Sequence, residues 1–287
     1  MIPSLRVLAE HMDVVLEDAR QERFADKMQH RRMTLDTVVS RVIEGQYEIE
    51  HPDGLYFVEP GEVYLHQANI PVSITHHFGT SAGMESQWVR FHALIYKTHD
   101  AVSCFSMPQK VDGAPAHAIG AIIDEMISII NREAAGSPDD IGRFMQDAYR
   151  IPLLLTTLMQ IIISVSTPKP DGFRLLESAD RMAPVLQYIH RHLAEHIRVE
   201  DLADVACMSG SHFHAAFKQA FGEPPIQYIR ILRIREACRL LMRTGDKVQD
   251  IAETTGFGNA YYFCRAFKAL LGVSPNQYRK MNASLRL

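Results

Sequence analysis

Two sets of side chains are spaced so that they could do chemistry. Ser211, His214, Ala215 and Lys218 recur at the steps that gather side chains on one face of a helix. Ala260, Tyr261, Cys264, Arg265 and Lys268 do so again further along. Faces carrying hydroxyls, an imidazole, a guanidinium and ammonium groups can donate to phosphate oxygens and to the edges of bases. Nearer the N-terminus, Trp88, Arg90 and His92 alternate, which puts them on one face of a strand. Arg41 and His66 are candidates to join them. An indole beside a guanidinium and imidazoles suits a small polyol or a carboxylate. The plainer alternatives are a solvated helix face for the first set and core packing for Trp88 and the histidines.

Composition narrows the setting. The chain has 287 residues, 47% hydrophobic and 22% charged, which fits about two folded domains and excludes wholesale disorder or a disulfide-dense miniature. The four cysteines (Cys104, Cys207, Cys238, Cys264) form no CxxC pair, so a reduced thiol set in the cytoplasm is expected. No basic segment followed by an apolar run opens the sequence, so no signal peptide is expected. The most apolar stretch, Ile151 to Val165, is interrupted by Pro152 and Gln160 and is shorter than the ~18 residues a bilayer span needs, so no membrane partner is expected. The net charge of −4 hides an asymmetry. Residues 1–174 carry 15 Lys and Arg against 23 Asp and Glu; residues 175–287 carry 15 against 11. The basic half is the one suited to a polyanion.

The elements that must position these groups differ between the halves. Thr37–Ile43, Gln46–Glu50, Leu55–Val58, Glu62–Gln67, Pro71–His77 and Gln87–Tyr96 read as short strands punctuated by Gly45, Pro52-Asp53-Gly54 and Pro60-Gly61. That pattern predicts a β-barrel or sandwich; no helical pattern separates the strands as a parallel α/β fold requires. Two helices should follow. One carries Ile119, Ile122, Ile123, Met126, Ile127 and Ile130. The other runs over Asp139–Val165 and is apolar nearly all round near its end, so protein should cover it, either its own domain or a second copy. Ser166–Phe173, with two prolines and a glycine, predicts a linker. The expected division is therefore 1–110 for the β domain, 111–166 for the helices, 167–174 for the linker and 175–287 for an all-α domain.

The last part contains a duplication. Ala216–Tyr228 and Ala266–Tyr278 share seven of thirteen residues: Ala, Phe, Lys, Gly, Pro, Gln and Tyr. In the first copy Leu202, Ala203 and Ala206 mark a short helix. A turn over Met208–Ser211 follows, then a helix with Phe213, Ala216, Phe217, Ala220 and Phe221 inward, stopped by Gly222. The second copy repeats this with Ile251, Ala252 and Thr255, a turn over Gly256–Asn259, then Phe263, Ala266, Phe267, Leu270 and Leu271, stopped by Gly272. Each is a helix-turn-helix pattern. Pro225–Arg243 reads as one connecting helix, roughly 27 Å long at 1.5 Å per residue. Such a strut can hold two helices about one DNA turn, ~34 Å, apart. Arg230, Arg233, Arg235, Arg239 and Arg243 decorate it and divide between phosphate contacts and ion pairs with Glu236.

These residues resemble the AraC/XylS family of bacterial transcription regulators. The motifs that carry the likeness are Asp201-Leu202-Ala203, Met208-Ser209 to Phe217-Lys218, Gly222 to Tyr228, Asp250-Ile251-Ala252, Gly256-Phe257, and Phe267-Lys268 to Tyr278, over roughly residues 180–282. The resemblance implies two helix-turn-helix motifs in one monomer, reading successive major-groove segments of double-stranded DNA. The base-contacting positions would be Ser211, His214 and Ala215, then Ala260, Tyr261, Cys264 and Arg265. The sequence departs from the family at Ala215, where members commonly carry Arg, so Arg265 is expected to discriminate most. The N-terminal part is more loosely similar to the cupin-like effector domain of many members, through Glu44-Gly45, Pro60-Gly61-Glu62 and Trp88 to Phe91. The fold class expected is thus α+β: a cupin-like barrel or sandwich with following helices, then the all-α domain.

The function expected from this is a sequence-specific regulator with a small-molecule effector in the barrel. A homodimer is expected, with RNA polymerase as a partner if it activates. Neither a cofactor nor a metal is expected: the cupin His-x-His with its following Glu and distant His is missing. The alternatives are a regulator controlled by a protein partner, its barrel serving only dimerisation, and a cupin-type enzyme with a DNA-binding appendage.

Overall fold

The computed structural model describes residues 9–24, 29–79, 83–134 and 140–283. The β-branched runs form strands: β1 (Met12–Phe24), β2 (Gln29–Arg32), β3 (Thr37–Glu44), β4 (Gln46–His51), β5 (Gly54–Val58), β6 (Val63–His66), β7 (Val72–His77) and β8 (Met84–Ile95). Short β9 (His99–Asp100), β10 (Phe105–Ser106) and β11 (Lys110–Val111) follow, and β12 (Thr167–Pro168) lies later in the chain. One sheet has the order β1-β8-β3-β6-β11, the other β2-β7-β4-β5, and β10 pairs with β12. The pairs β2–β7, β3–β6, β3–β8, β4–β5, β4–β7, β6–β11, β8–β9 and β10–β12 are antiparallel. This is the expected sandwich, with β1, β2 and the short β9 to β12 added. Met12–Phe24 reads MDVVLEDARQERF, too charged to announce a strand by alternation.

Register decides which side chains share a face. Val38 stands opposite both His66 and Arg90, and Ser40 opposite both Tyr64 and Trp88. That face looks inward: Val42, Tyr64 and Met84 pack there with Tyr47, Ile49, Val58, Val72 and Ile74 of strands β4, β5 and β7. Gly45 between β3 and β4 has φ +85, and a Cβ there would lie 2.5 Å from the His77 carbonyl oxygen, so only glycine makes this turn.

Two long helices follow: α1 (Gly113–Ala134) and α2 (Ile141–Val165). Ile119, Ile123 and Met126 of α1 are fully buried. The N-terminus of α2 is capped by the Asp140 carboxylate, which accepts from the Arg143 backbone N–H at 3.1 Å. Here the expectation of no membrane-length segment is corrected. The apolar stretch Ile151–Val165 is the second half of a 25-residue helix, and by length and composition alone both Gly113–Glu133 and Ile141–Val165 could cross a bilayer. Such helices are equally what the core of a soluble domain uses.

The remaining helices are α3 (Gly172–Arg181), α4 (Ala183–Arg191), α5 (Val199–Val205), α6 (Gly210–Phe221), α7 (Pro225–Arg243), α8 (Val248–Thr254), α9 (Ala260–Leu271) and α10 (Pro275–Ala283). The connecting helix has the bounds expected from the sequence. The chain forms two compact units. One is Val14–Ala93 with Phe105–Lys169; the other joins Leu94–Cys104 and the described residues up to Asp13 to everything from Pro170 onward. The sequence division placed Leu94–Cys104 with the barrel. In the structure this segment packs on helices distant in sequence, which local pattern cannot reveal.

Candidate nucleic-acid interface

The duplication is visible in three dimensions as matched bonds. In the first motif the turn between α5 and α6 is closed by Cys207 N–H donating to Asp204 O (3.0 Å) and Met208 N–H to Ala203 O (2.9 Å). In the second, Gly256 N–H donates to Glu253 O (2.9 Å) and Phe257 N–H to Ala252 O (2.8 Å). The turn needs a left-handed residue, and the two copies supply Cys207 (φ 53) and Gly256 (φ 80). Gly222 (φ 80) and Gly272 (φ 77) end α6 and α9 and donate back to Lys218 O and Lys268 O, both at 2.8 Å. The repeated Gln-Tyr also gains a reason. Tyr228 meets Phe217 edge-on at 5.3 Å, and Tyr278 meets Phe267 edge-on at 5.5 Å. Phe213, Phe217, Phe263 and Phe267 have no exposed surface.

Inward aromatics fix what faces out. Ser211, His214, Ala215 and Lys218 on α6 are exposed, as are Tyr261, Arg265 and Lys268 on α9; Ala260 and Cys264 are half-buried. The Arg265 guanidinium lies over the Tyr261 ring at 5.9 Å, so the ring guides the charge while leaving its N–H groups free to point outward. Asn259 caps α9 through the backbone N–H groups of Tyr261 (2.8 Å) and Tyr262 (3.2 Å).

The connector arginines separate into different roles. Arg233 donates to the carbonyls of Leu193 (2.8 Å), Glu195 (2.5 Å) and Gly256 (2.8 Å), tying the turn of the second motif to the segment before the first. It is spent inside the domain and does not face outward. Arg239 forms a two-pronged pair with Glu236. A Cβ on Gly256 would fall 2.8 Å from Leu193 O and 2.9 Å from Ala194 O, so this glycine is required by close approach as well as by φ.

Sequence reasoning missed the segment Leu94–Cys104. It turns through left-handed Tyr96 (φ 51) and Lys97 (φ 60), and the Tyr96 hydroxyl donates to Asp180 of α3 at 2.8 Å. The His99 ring lies 5.3 Å from that of Phe221 at the end of α6. Burial, with the Arg235 charge adding to it, holds the His99 imidazole down at about 4.

In the β unit, Trp88, Arg90, His92 and His66 come together on the inner face, as alternation predicted. Arg90 is 2% exposed and its guanidinium lies over Trp88 at 5.9 Å. Its counter-ion is the buried Asp36 (3.7 Å), and His92 Nδ1 sits 3.5 Å from Glu17 and 3.6 Å from Asp36. His66 Nε2 meets the Ile70 carbonyl at 2.8 Å. Arg41 does not join this group. It stands opposite Gln87, which puts it on the other face of the sheet, where it pairs with Asp124 of α1 at 3.1 Å above Gly120. A one-residue difference in strand register separates the two faces, and His66 and Arg41 lie on different strands, so sequence spacing could not distinguish them. Among the described residues no cluster of His, Cys, Asp and Glu could hold a metal ion, and none of the four cysteines is in a disulfide.

A β-sandwich unit followed by two helix-turn-helix motifs on one rigid connector defines a class of DNA-binding protein. Comparison with known proteins places it further. The family model described as Helix-turn-helix domain matches residues 202–281. The HTH-type transcriptional regulator YisR of Bacillus subtilis (strain 168) is 33% identical over 112 residues, 39% of this chain and 39% of that protein. The chain thus spans about two-fifths of that relative's length. The probable transcriptional regulator LumQ of Photobacterium leiognathi is 26% identical over 237 residues, 82% of this chain and 86% of that protein. The crystal structure of unsaturated fatty acid bound wild-type ToxT from Vibrio cholerae strain SCE256 superposes with a TM-score of 0.53. At 11% identity it covers 94% of this chain and 95% of that one, a likeness of fold. Residues 202–281 thus match a helix-turn-helix domain, and the chain is similar to transcriptional regulators that carry one.

Proposed function

We propose that the protein is a sequence-specific, DNA-binding transcription regulator whose β unit senses a small-molecule effector. The observation that carries the reading is the pair of exposed faces on α6 and α9, each set by the same turn bonds, the same helix stop and the same aromatic wedge. α6 would present Ser211, His214, Ala215 and Lys218, and α9 would present Ala260, Tyr261, Cys264, Arg265 and Lys268, to adjacent major-groove segments of double-stranded DNA. Arg265 is the member able to make a two-pronged contact to guanine. Ala215 can touch a thymine methyl. Regulation requires no reacting group, and the reading assigns no catalytic residue, cofactor or metal. The working place is the cytoplasm, with RNA polymerase as partner if the protein activates.

The ToxT structure of like fold is bound to an unsaturated fatty acid, which supports a small-molecule effector for this chain. An effector on the inner face would reach Trp88, Arg90, His92 and His66, and it would have to displace Asp36 from Arg90 to bind there. Assembly is proposed as a homodimer through α2, which exposes Ile141, Phe144, Met145, Tyr149 and Leu153. Selection of duplexes from a random pool by the full-length chain tests the DNA reading. A recovered site with two adjacent groove segments per protomer supports it. Recovery of no preferred sequence, with only salt-sensitive binding, rejects it.

A further inference from the structure

The two faces of the barrel sheet differ in what they leave open. The inner face is filled by Tyr47, Tyr64, Trp88 and Arg90, all at most 5% exposed. On the outer face, between α1 and the edge formed by β1 and β8, lies a cleft of about 470 Å³. That volume falls in the range of small-molecule sites, about 300–1,000 Å³. Gln21 and Gln87 form its sheet wall, Asp124, Ser128 and Asn131 its helix wall, and buried Ile127 its apolar floor.

The hydrogen-bond inventory of this cleft selects a ligand chemistry. Gln87, 5% exposed, donates through Nε2 to Gln21 Oε1 (2.9 Å) and Asp124 Oδ1 (2.7 Å). Both hydrogen bonds hold the Gln87 amide in place, so it forms a fixed polar wall. The charges around it are already matched: Asp124 with Arg41 (3.1 Å), and Arg132 with Asp147 (2.9 Å). An anion would face Asp124, and a cation would face Arg132 and Arg41. A hydroxyl both donates and accepts, so it can pair with either end of the exposed Asn131 amide and with the exposed Ser128 hydroxyl.

We propose that this cleft binds a small, uncharged, hydroxyl-rich molecule, placing an effector site on the outer face of the sheet against α1. The proposal rests on the effector reading above but moves the site from the filled inner face to the outer face, and it does not depend on the DNA interface. Its test is titration calorimetry of the full-length chain with myo-inositol, sorbitol and D-glucose, and with gluconate and glucosamine as charged counterparts. At least one neutral probe should saturate, the charged pair should bind more weakly, and Asn131→Ala or Ser128→Ala should weaken the neutral probe about five- to tenfold each. Both residues are exposed on α1, so the variants keep the fold, which circular dichroism verifies. Saturation by none of the neutral probes overturns the proposal. Equal affinity in wild type and both variants, or equal binding of the charged pair, overturns it as well. Failure of duplex selection with saturation intact would strike only the regulator reading.

Discussion

On the proposed reading, Arg265 and Ala215 would divide the work of discrimination between α6 and α9 unequally. Arg265 has five N–H donors in a fixed fork, and Tyr261 beneath it limits where that fork points. Arg265→Ala should therefore cost about 1–3 kcal/mol on the selected duplex and little on random DNA. Equal losses on both, in side-by-side electrophoretic shifts, would make Arg265 a phosphate contact. The left-handed turn residues give a second, opposite pair of expectations. Cys207 is a non-glycine at φ 53, so Cys207→Gly relieves strain and should raise stability by about 1 kcal/mol. Gly256→Ala adds a Cβ to a left-handed residue crowded by two carbonyls, and should destabilise by about 2 kcal/mol or more. Urea denaturation of both variants decides; a stabilising Gly256→Ala would contradict the turn geometry.

The segment Leu94–Cys104 belongs to the helical unit although the chain enters it from β8. His99 makes this contact sensitive to acid. In the unfolded chain the imidazole takes up a proton near 6.5, whereas in the folded chain it resists until about 4. Between those values the unfolded state binds more protons, so stability rises with pH through this window and falls as pH drops. The contribution lost is on the order of 3 kcal/mol. Denaturation midpoints measured at several pH values should fall less steeply below 6.5 in His99→Gln than in wild type. Parallel curves would show that His99 already accepts a proton when folded. The α7 connector has a comparable lock in Arg233, whose three carbonyl acceptors hold the two motifs in one frame.

Assembly is the property most exposed to test on α2. Tyr149 is 74% and Ile141 77% exposed, large apolar surfaces for a helix in water. If a second copy covers them, sedimentation of the wild type should give a dimer, and Phe144→Glu with Tyr149→Glu should give a monomer that still folds. A monomeric wild type at micromolar concentration would leave that face to another role.

The sequence by itself determined β3 to β8, the two long helices after them and which side chains of α6 and α9 face outward. Helical and strand periods are local, and the duplication doubled the signal, so α7 and the outward residues of α6 and α9 were legible in the chain alone. Glycine at 222 and 272 marked the helix ends because only a residue without a side chain adopts that turn freely. Tertiary structure decided the rest. Arg41 went to the opposite face from Trp88 because strand register is set by pairing between distant segments. Asp36 and Glu17 became the partners of Arg90 and His92, Gln87 became the wall of a cleft, and Leu94–Cys104 joined the helices. Each depends on which segments meet after long loops close, and local spacing carries no record of that.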